Sequence, residues 1–293
     1  MSLPPEFIQS IRRDVQLIFQ LLGRRRKSYS LENPEELGSD IYSYYHSHSR
    51  ETIEEELILV KGKLRETMIA LNSLGIFKSE FDRKKDGFVR FYSWNPDEDV
   101  SEKIIDSCSV RIYLNPTLEH FKDAILDLML FYSRLKPNRK APLMFKIPFW
   151  ANLQPIMVER SDKIVIYASP KNRLIERLIV RIRSYPNDYF GNIAPLFTQK
   201  IRNGVGMSYE PKEENVFVQS LRRITRKENL YLSYGKYMAF LIARGIQMAV
   251  VNEGIRRKGQ TLEFNTLEDH QVAKIGTRVM VFVLERCRED LEL

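Results

Sequence analysis

Few side chains in this sequence have the type and spacing of a known catalytic site. The four histidines are His46, His48, His120 and His270. His46 and His48 are two residues apart, so they share a face only in an extended segment, and with no cysteine nearby they do not indicate a zinc site. The sequence contains no Walker loop and no GxGxxG, GxSxG, HExxH or CxxC motif. It therefore does not indicate the nucleotide-binding, hydrolase, metallopeptidase and redox sites that these motifs mark.

Clusters of arginine are the other candidates for chemistry. Arg222 and Arg223 stand late in one predicted helix. Residues 24–27, which read RRRK, directly follow another predicted helix. A pair of arginines can clamp a phosphate dianion because the guanidinium fork matches its oxygens. Cations at the end of a helix also complement the helix dipole while they remain solvated. A solvated helix end is the favoured interpretation of both clusters, and a phosphate clamp is the alternative.

Hydrophobic periodicity and turn residues predict the elements that must position these side chains. Apolar residues at helical spacing predict helices over 5–23 and 52–74, and Asp86-Gly87 predicts the turn of a hairpin. A short helix between these two ends in the tyrosine- and histidine-rich segment 41–49. The other predicted helices cover 116–136, 170–185, 213–226, 233–253 and 267–289, and the other predicted strands cover 109–115, 143–150 and 162–168.

The order of these elements predicts the fold class. Helices and strands are interleaved without regular βαβ spacing, which favours an α+β fold over a doubly wound sheet. We expect a helical N-terminal region with a possible hairpin over residues 1–104. A mixed α+β domain with a small antiparallel or mixed sheet should follow over residues 105–293.

Composition limits the class of protein. Hydrophobic residues make up 43% of the 293 residues, so the chain can form a core, but no apolar run approaches the roughly 18 residues of a membrane span. The charged N-terminal segment is a poor signal peptide, and Cys108 and Cys287 cannot form a disulfide framework, so we expect a cytoplasmic protein. The net charge of +8 suits an anionic partner.

Nucleic acid is one such partner, and residues 52–94 are similar to a winged helix because a helix precedes a candidate hairpin with basic residues. That helix, however, carries acidic side chains that would repel phosphates. They are Glu51, Glu54, Glu55, Glu56 and Glu66. A nucleic-acid binder is therefore not the favoured interpretation.

Four pieces between residues 105 and 245 occur in an order that is typical of one family. They are VRIYLN before a helix, FKI before a loop into RSDKIVIY, PLFT before GVG and EP, and SYG opening a helix that reaches ARGI. Together they resemble the HopA-type effector family, known as bacterial type III secreted effectors and, in related proteins, as the lyase component of class V lanthipeptide pathways.

The resemblance implies elimination of phosphate from phosphoserine or phosphothreonine in a peptide, without a metal or organic cofactor. Such a reaction needs a base for the Cα proton, a donor to the neighbouring carbonyl and cations for the leaving phosphate. The resemblance also implies partners: a phosphorylated precursor peptide, a kinase that makes it and a cyclase that adds cysteine thiols to the product. A membrane is not an expected partner.

The matched positions imply residue roles. Lys146 is the implied base or phosphate contact, Arg160 is implied to bind phosphate and Asp162 to orient a cation. Two further expected roles fall on residues outside the matched motifs: Arg202 as a second phosphate ligand, and His46, in a segment that is only reminiscent of the family, as the acid for the leaving group. Three hydroxyls are implied donors to phosphate or peptide, and these are Thr198, Ser233 and Tyr234.

Lys146 alternates with Phe145 and Ile147 in a predicted strand, so it faces away from both, toward either solvent or a cleft. A salt bridge between Arg160 and Asp162 and a helix N-cap at Ser233 are structural alternatives. Gly204 and Gly206 are expected to permit a backbone turn or a close approach rather than to act chemically.

Two positions depart from the family pattern. Gln199 stands where the family has lysine, with Lys200 next along, and Met238 stands where it has arginine. Other cations could hold the phosphate instead, and the candidates are Lys200, Arg202, Arg222 and Arg223. The alternative is a non-catalytic binding protein or secreted effector that recognises an acidic or phosphorylated partner.

Overall fold

The computed structural model describes residues 5–46, 54–81, 87–98, 101–154, 158, 160–211, 215–225, 232–257 and 259–290. The chain forms two compact units, each built from discontinuous segments. The first comprises Met1–Tyr45, Leu196–Gln199 and Tyr209–Leu293, and the second comprises His46–Pro195 and Lys200–Ser208. The expected boundary after residue 104 falls inside the second unit, because strands on both sides of that point belong to one sheet.

The helices of the described residues, in chain order, are α1 (Pro5–Gly23), α2 (Glu35–His46), α3 (Glu54–Ser73), α4 (Ser101–Ser107), α5 (Phe121–Ser133), α6 (Leu174–Arg183), α7 (Val216–Thr225), α8 (Tyr234–Asn252) and α9 (Asp269–Asp290). The strands are β1 (Ser28–Ser30), β2 (Lys78–Phe81), β3 (Phe88–Tyr92), β4 (Val110–Leu114), β5 (Leu143–Pro148), β6 (Ile164–Ala168), β7 (Gln199–Arg202), β8 (Val205–Tyr209) and β9 (Thr261–Glu263). No helix among these is long and apolar enough to cross a membrane.

Helices form the core of the first unit. α1 buries Phe7, Ile11, Val15 and Ile18, which recur every three or four residues and so make one apolar stripe. α8 buries residues on nearly every side, as expected of a central helix, and α9 packs along it. The short strands β1 and β9 pair antiparallel at the side of this core.

A sheet organises the second unit. Its strand order is β2-β3-β5-β6-β4-β8-β7, and the β2–β3, β3–β5, β5–β6 and β6–β4 pairs are antiparallel. Phe91 and Phe145 stack with ring centres 4.8 Å apart on one face, which also carries Ile112 and Ile166. Successive residues of a strand face opposite ways, so Lys146 lies on the other face.

The structure confirms the α+β class and most of the predicted elements. The helix predicted from Pro116 is the main difference in length: α5 begins only at Phe121, because Pro116 instead pairs with Phe190 in an isolated β-bridge. The candidate hairpin after α3 also differs from the hairpin expected of a winged helix, because β3 pairs with β5 and so belongs to the large sheet. The three-residue strands β1 and β9 and the short helix α4 were not predicted.

Candidate functional site

Lys146 lies in the middle of β5, between two strands that fix its direction. Arg90 of β3 opposes it on one side and Val165 of β6 on the other. Residues directly opposed in neighbouring strands project to the same face, so Arg90 is the nearest cross-strand cation to Lys146. The side chain of Lys146 is half-buried, and its Nζ lies 4.3 Å from the ring centre of Phe88.

Arg160 reaches the same aromatic ring from the segment before β6. Its guanidinium carbon lies 5.4 Å from the ring centre of Phe88, and Phe88 is itself buried. The Nε and Nη2 groups of Arg160 each donate a hydrogen bond of 2.8 Å to the carboxylate of Asp162, which is only 2% exposed. A buried carboxylate thus fixes the guanidinium beside a ring that it shares with Lys146.

We call the sheet face that carries Lys146 the Lys146 face, and define it by Phe88, Arg90, Arg111, Tyr113, Lys146 and Tyr167. It is rich in cations and tyrosines. The guanidinium carbon of Arg111 lies 4.5 Å from the ring centre of Tyr167, and Tyr113 Oη lies 3.1 Å from Ser208 Oγ in a hydrogen bond. Such a face can hold an anionic group on guanidinium, ammonium and hydroxyl donors.

Phe88, Arg90, Arg111 and Tyr167 did not enter the sequence prediction. The signal was present in part, because VRIYL alternates apolar and polar residues with a period of two and Arg90 stands between two apolar neighbours in FVRFY. The sequence did not give the register between β3, β5 and β6, and only that register places Arg90 directly opposite Lys146.

Tyr92 continues the Lys146 face toward β2. Its hydroxyl donates a 3.0 Å hydrogen bond to Glu80 Oε2. Burial, and then this hydrogen bond, raise the pKa of Tyr92 well above its ordinary value, so the phenol stays protonated at neutral pH.

Other predicted site residues lie at a turn in the first unit, which we call the Phe197 turn and define as Leu196–Gln199. Phe197 has a φ of 62°, a left-handed conformation that is strained for a non-glycine residue. Its backbone N–H donates to Asp14 Oδ2 at 2.6 Å, and its carbonyl accepts from Tyr234 Oη at 2.6 Å. Ser10 Oγ donates to the carbonyl of Thr198 at 3.1 Å. These bonds hold the turn in its strained form.

The Phe197 turn gives Tyr234 and Asp14 a structural role, although both lie far from it in sequence. The hydroxyl of Tyr234 donates its hydrogen bond to the backbone carbonyl of Phe197. The side chain of Thr198 is buried, at 2% exposure. Asp14 is fully buried, and burial raises its pKa, although hydrogen bonds from Arg13, Phe197 and Ser10 oppose this. Ser233 occupies the N-cap position of α8 without a side-chain capping hydrogen bond.

Arg202 has a clear structural environment in the second unit. Its Nη1 donates to the carbonyls of Ile182 and Tyr185, and its Nη2 donates to the carbonyl of Pro186 and to Asn187 Oδ1. The guanidinium therefore satisfies carbonyls at the C-terminal end of α6, where the backbone lacks helical partners.

Gly204 follows in the turn between β7 and β8, with a φ of 67°. A Cβ there would lie 2.3 Å from the carbonyl oxygen of Gly191, which confirms that this glycine permits a left-handed turn and a close approach.

The remaining predicted cations and the histidine are spread over both units. Lys200 is exposed on β7, Arg222 is half-buried and Arg223 is exposed near the end of α7. His46 ends α2, and its side chain lies outside the described residues. The structure thus brings Lys146, Arg160 and Asp162 together. It places Thr198, Ser233 and Tyr234 in the first unit.

The two departures from the family pattern have different surroundings. Met238 is fully buried in the core of the first unit, where the thiol of Cys287 lies 3.8 Å from its sulfur. Gln199 is half-buried at the start of β7.

Within the described residues, no group of three or more histidine, cysteine, aspartate and glutamate side chains could hold a metal ion. The Lys146 face carries guanidinium, ammonium and hydroxyl donors, which can hold an anion.

Comparison with known proteins identifies the relatives of this chain. The model of the HopA1 effector protein family matches residues 84–249. The fold is similar to the effector protein from Pseudomonas syringae pv. tomato strain DC3000, with 14% identity and a TM-score of 0.48 over 82% of this chain and 95% of that one. It is also similar to the effector protein from Pseudomonas syringae pv. syringae strain 61, with 13% identity and a TM-score of 0.46 over 84% and 96%. No curated protein matches the sequence.

Proposed function

Because this chain belongs to the HopA1 effector protein family, we propose that it is a lyase that removes phosphate from phosphoserine or phosphothreonine in a peptide. The product is a dehydroalanine or dehydrobutyrine residue. One observation carries the proposal: Lys146 and Arg160 meet at the ring of Phe88, with Arg90 directly across from Lys146.

The elimination assigns a different task to each of these cations. The amine of Lys146 accepts the Cα proton, and the electron pair of that C–H bond forms the new C=C bond. The Cβ–O bond then breaks, and its electron pair leaves with the phosphate. Arg160 and Arg90 hold the phosphate oxygens and stabilise the charge that develops on them.

Asp162 has a positioning role in this scheme. Its two oxygens accept hydrogen bonds from Nε and Nη2 of Arg160 and so set the direction of the guanidinium. Because Asp162 is almost fully buried, water does not compete for its carboxylate, and the guanidinium of Arg160 is held in one place. The fixed cation then needs no rearrangement when phosphate arrives.

The residues around Lys146 suggest which cation acts as the second phosphate ligand. Arg90 supplies the second guanidinium more directly than Arg202, whose donors hold the end of α6. His46 remains the proposed acid that protonates the leaving phosphate. The proposed partners are a phosphorylated precursor peptide, a kinase that supplies it and a cyclase that adds thiols to the product.

A second candidate function is recognition of an acidic or phosphorylated partner without turnover, as an effector would need. Met238 favours it, because an apolar residue in the first unit's core stands where the family pattern has arginine. Gln199 favours it as well, because it replaces a lysine with a neutral amide. The Lys146 face would then bind phosphate and leave it attached.

Mass spectrometry of phosphoserine and phosphothreonine peptides incubated with the protein separates the two functions. Peptides encoded beside the gene belong in the set, and a thiol traps the dehydroamino acid. We expect loss of one phosphoric acid and a thiol adduct, both abolished in Lys146→Ala and kept in Lys103→Ala, an exposed lysine of α4.

Two other results would replace the lyase proposal. Release of phosphate with the hydroxyl restored would identify a phosphatase. Binding of the phosphopeptides with no change in their mass would identify the non-catalytic recognition protein.

A further inference from the structure

The excess positive charge of the protein lies in two segments of the second unit. Residues 134–140 and 171–183 contain 9 of the 46 lysines and arginines but only 1 of the 38 aspartates and glutamates, so they account for the whole net charge of +8. We call the surface that they form the α6 basic surface. Its cations are Arg134, Lys136, Arg139, Lys140, Lys171, Arg173, Arg177, Arg181 and Arg183. An anion is attracted to this surface more than to the rest of the chain, which is neutral in sum.

Contacts between α5 and α6 bring the two segments together. Arg181 and Tyr185 both donate hydrogen bonds to the carboxylate of Asp127, in the middle of α5. At the other end of α6, Asn172 Nδ2 donates a 2.5 Å hydrogen bond to the carbonyl of Lys140. The two helices are thus antiparallel, and the loop that follows α5 lies beside the turn that precedes α6.

Most of these cations have no carboxylate partner. The structure describes both segments completely, and within the described residues Arg181 is the one cation of the nine that forms a salt bridge, with Asp127. Leu174, Leu178 and Ile182 turn the apolar side of α6 into the unit, so its arginines project away from that side. Six of the nine side chains are exposed, and these are Arg134, Lys136, Arg139, Lys171, Arg173 and Arg183.

Arg173 occupies a position that the fold does not favour for an arginine. Its φ is 53° and that of Asn172 is 59°, so two successive residues adopt the left-handed conformation. Arg173 is the N-cap residue of α6 without a side-chain capping hydrogen bond, and the helix dipole disfavours a cation at that end. Glycine or asparagine would suit this backbone better. The stability of the turn therefore does not explain the arginine.

The composition of the α6 basic surface selects the kind of anion. Six of its nine cations are arginines, whose planar guanidinium can bind two phosphate oxygens at once. Neither segment contains an aromatic residue on which the bases of a single strand could stack. Val180 is the one large apolar side chain of these described segments that is exposed, so the surface has little that could enter a lipid bilayer. The phosphates on the outside of a duplex fit these properties.

We propose that the α6 basic surface binds the phosphate backbone of double-stranded nucleic acid without reading its sequence. A duplex carries one negative charge per about 1.7 Å of its axis, whereas an extended acidic peptide carries at most one per about 3.3 Å. The duplex therefore offers the denser row of charges to a cluster of this size. The proposal does not depend on the lyase activity, because none of these residues belongs to the Lys146 face.

Fluorescence anisotropy of a labelled DNA duplex of about 20 base pairs, titrated with the full chain from about 50 to 200 mM salt, tests this surface. Binding should weaken steadily as salt rises, with a Kd of about 1–100 µM at physiological salt. Arg139→Gln, Lys171→Gln and Arg173→Asn, combined in one protein, should reduce the slope of log K against log salt by about 0.9 for each lost phosphate contact. A duplex of unrelated sequence should bind equally well.

Three exposed arginines of the first unit supply a control of equal charge, and these are Arg12, Arg24 and Arg26. Their replacement by glutamine lowers the net charge by the same amount and should leave the salt dependence unchanged. An equal loss of binding in both triple variants, or full binding by the α6 variant, would overturn the proposal.

Competition experiments distinguish the duplex from other polyanions. Polyglutamate, and vesicles of phosphatidylserine and phosphatidylcholine, should displace the duplex only weakly at equal concentrations of negative charge. Displacement by polyglutamate as effective as that by unlabelled DNA would identify a site for acidic proteins instead. Binding to the vesicles in the absence of duplex binding would identify a membrane surface, and either result would overturn the proposal.

Arg173→Asn alone separates binding from folding. It should raise the midpoint of thermal unfolding, because asparagine tolerates the left-handed conformation and carries no charge against the helix dipole. The same variant should bind the duplex about fivefold more weakly at physiological salt, the effect of one lost phosphate contact. A more stable variant that binds as tightly as the wild type would overturn the assignment of phosphate to this turn.

Discussion

The Phe197 turn of the first unit and the Lys146 face of the second both contain residues matched to the family pattern, but their polar groups have different partners. At the Phe197 turn, Tyr234 and Asp14 bond the backbone of Phe197 on its carbonyl and its amide. On the Lys146 face, the ammonium of Lys146 and the guanidinium of Arg160 lie against an aromatic ring. The polar side chains at the Phe197 turn bond the backbone, whereas the two cations of the Lys146 face contact a ring and, for Arg160, also a buried carboxylate.

This difference teaches that a match to a family pattern does not by itself assign a chemical role. Phe197 adopts a left-handed conformation, and a strained backbone persists only where its surroundings over-determine it. Tyr234 and Asp14 are two of those determinants, so the fold alone explains their identity. On the Lys146 face, the salt bridge to the buried Asp162 gives Arg160 a structural partner, so substitutions are needed to separate its structural role from the proposed one.

The largest expected contrast comes from one substitution in each region. Lys146→Met should lower kcat of the proposed elimination by about three orders of magnitude, because it removes the base. Its free energy of unfolding should change by less than about 1 kcal/mol, the usual size of a cation–π contact. Tyr234→Phe should do the reverse: it leaves a buried carbonyl without its donor, which costs about 1–3 kcal/mol, and it keeps kcat within a few-fold.

Phosphopeptide turnover and urea unfolding of the two variants measure this contrast. A Tyr234→Phe protein of wild-type stability that has lost turnover would show that the Phe197 turn is chemical after all, and would erase the distinction between the regions.

A smaller effect is expected at Arg160. Arg160→Lys keeps the charge but loses the planar fork, so it can no longer bond Asp162 through two nitrogens and still present a donor to phosphate. KM for a phosphopeptide should rise about tenfold, and Arg160→Gln should raise it further.

Asp162→Asn is the matched control for positioning, because it weakens the hold on Arg160 without removing the cation. It should raise KM less than Arg160→Gln does. An unchanged KM in all three variants would remove Arg160 from the phosphate site.

How far the sequence predicted the fold depended on the range of the interactions. α1 was predicted with its observed ends, Pro5 and Gly23, because its stripe of apolar residues is a local pattern. The hairpin of β2 and β3 was also local, with Asp86-Gly87 between its strands. α5 was predicted too long, because the bridge from Pro116 to Phe190 joins residues distant in sequence.

The candidate site shows the same limit. Lys146, Arg160 and Asp162 were found through resemblance to a family, and the alternation around Lys146 correctly placed it away from Phe145 and Ile147. Arg90 and Phe88 depend on the pairing of β3 with β5, across more than 50 residues of chain, and no short pattern encodes that register.

The smallest predicted effect compares how two carboxyl groups, one in each unit, respond to pH. Burial raises the folded-state pKa of Asp14 above its ordinary value of 3.8, so the stabilisation linked to its proton is complete below pH 3.8 and is lost as pH rises through the folded pKa. Asp127 behaves oppositely. Burial would raise its pKa, but hydrogen bonds from Arg181 and Tyr185 lower it, so its contribution is present above pH 3.8 and is lost as pH falls through the folded pKa.

Urea unfolding from acid to neutral pH should therefore give opposite slopes for two variants relative to the wild type. As pH rises from 3.8, the free energy of unfolding of Asp14→Asn should increase relative to that of the wild type, because the neutral amide carries no buried charge. That of Asp127→Asn should fall behind the wild type as pH rises through the folded pKa toward 3.8, and stay behind at higher pH, because the variant lacks the charge that Arg181 stabilises. Parallel slopes would mean that Asp14 is ionised in the folded protein as readily as Asp127, and that the Phe197 turn is held by a charge rather than by a buried, neutral hydrogen-bonding group.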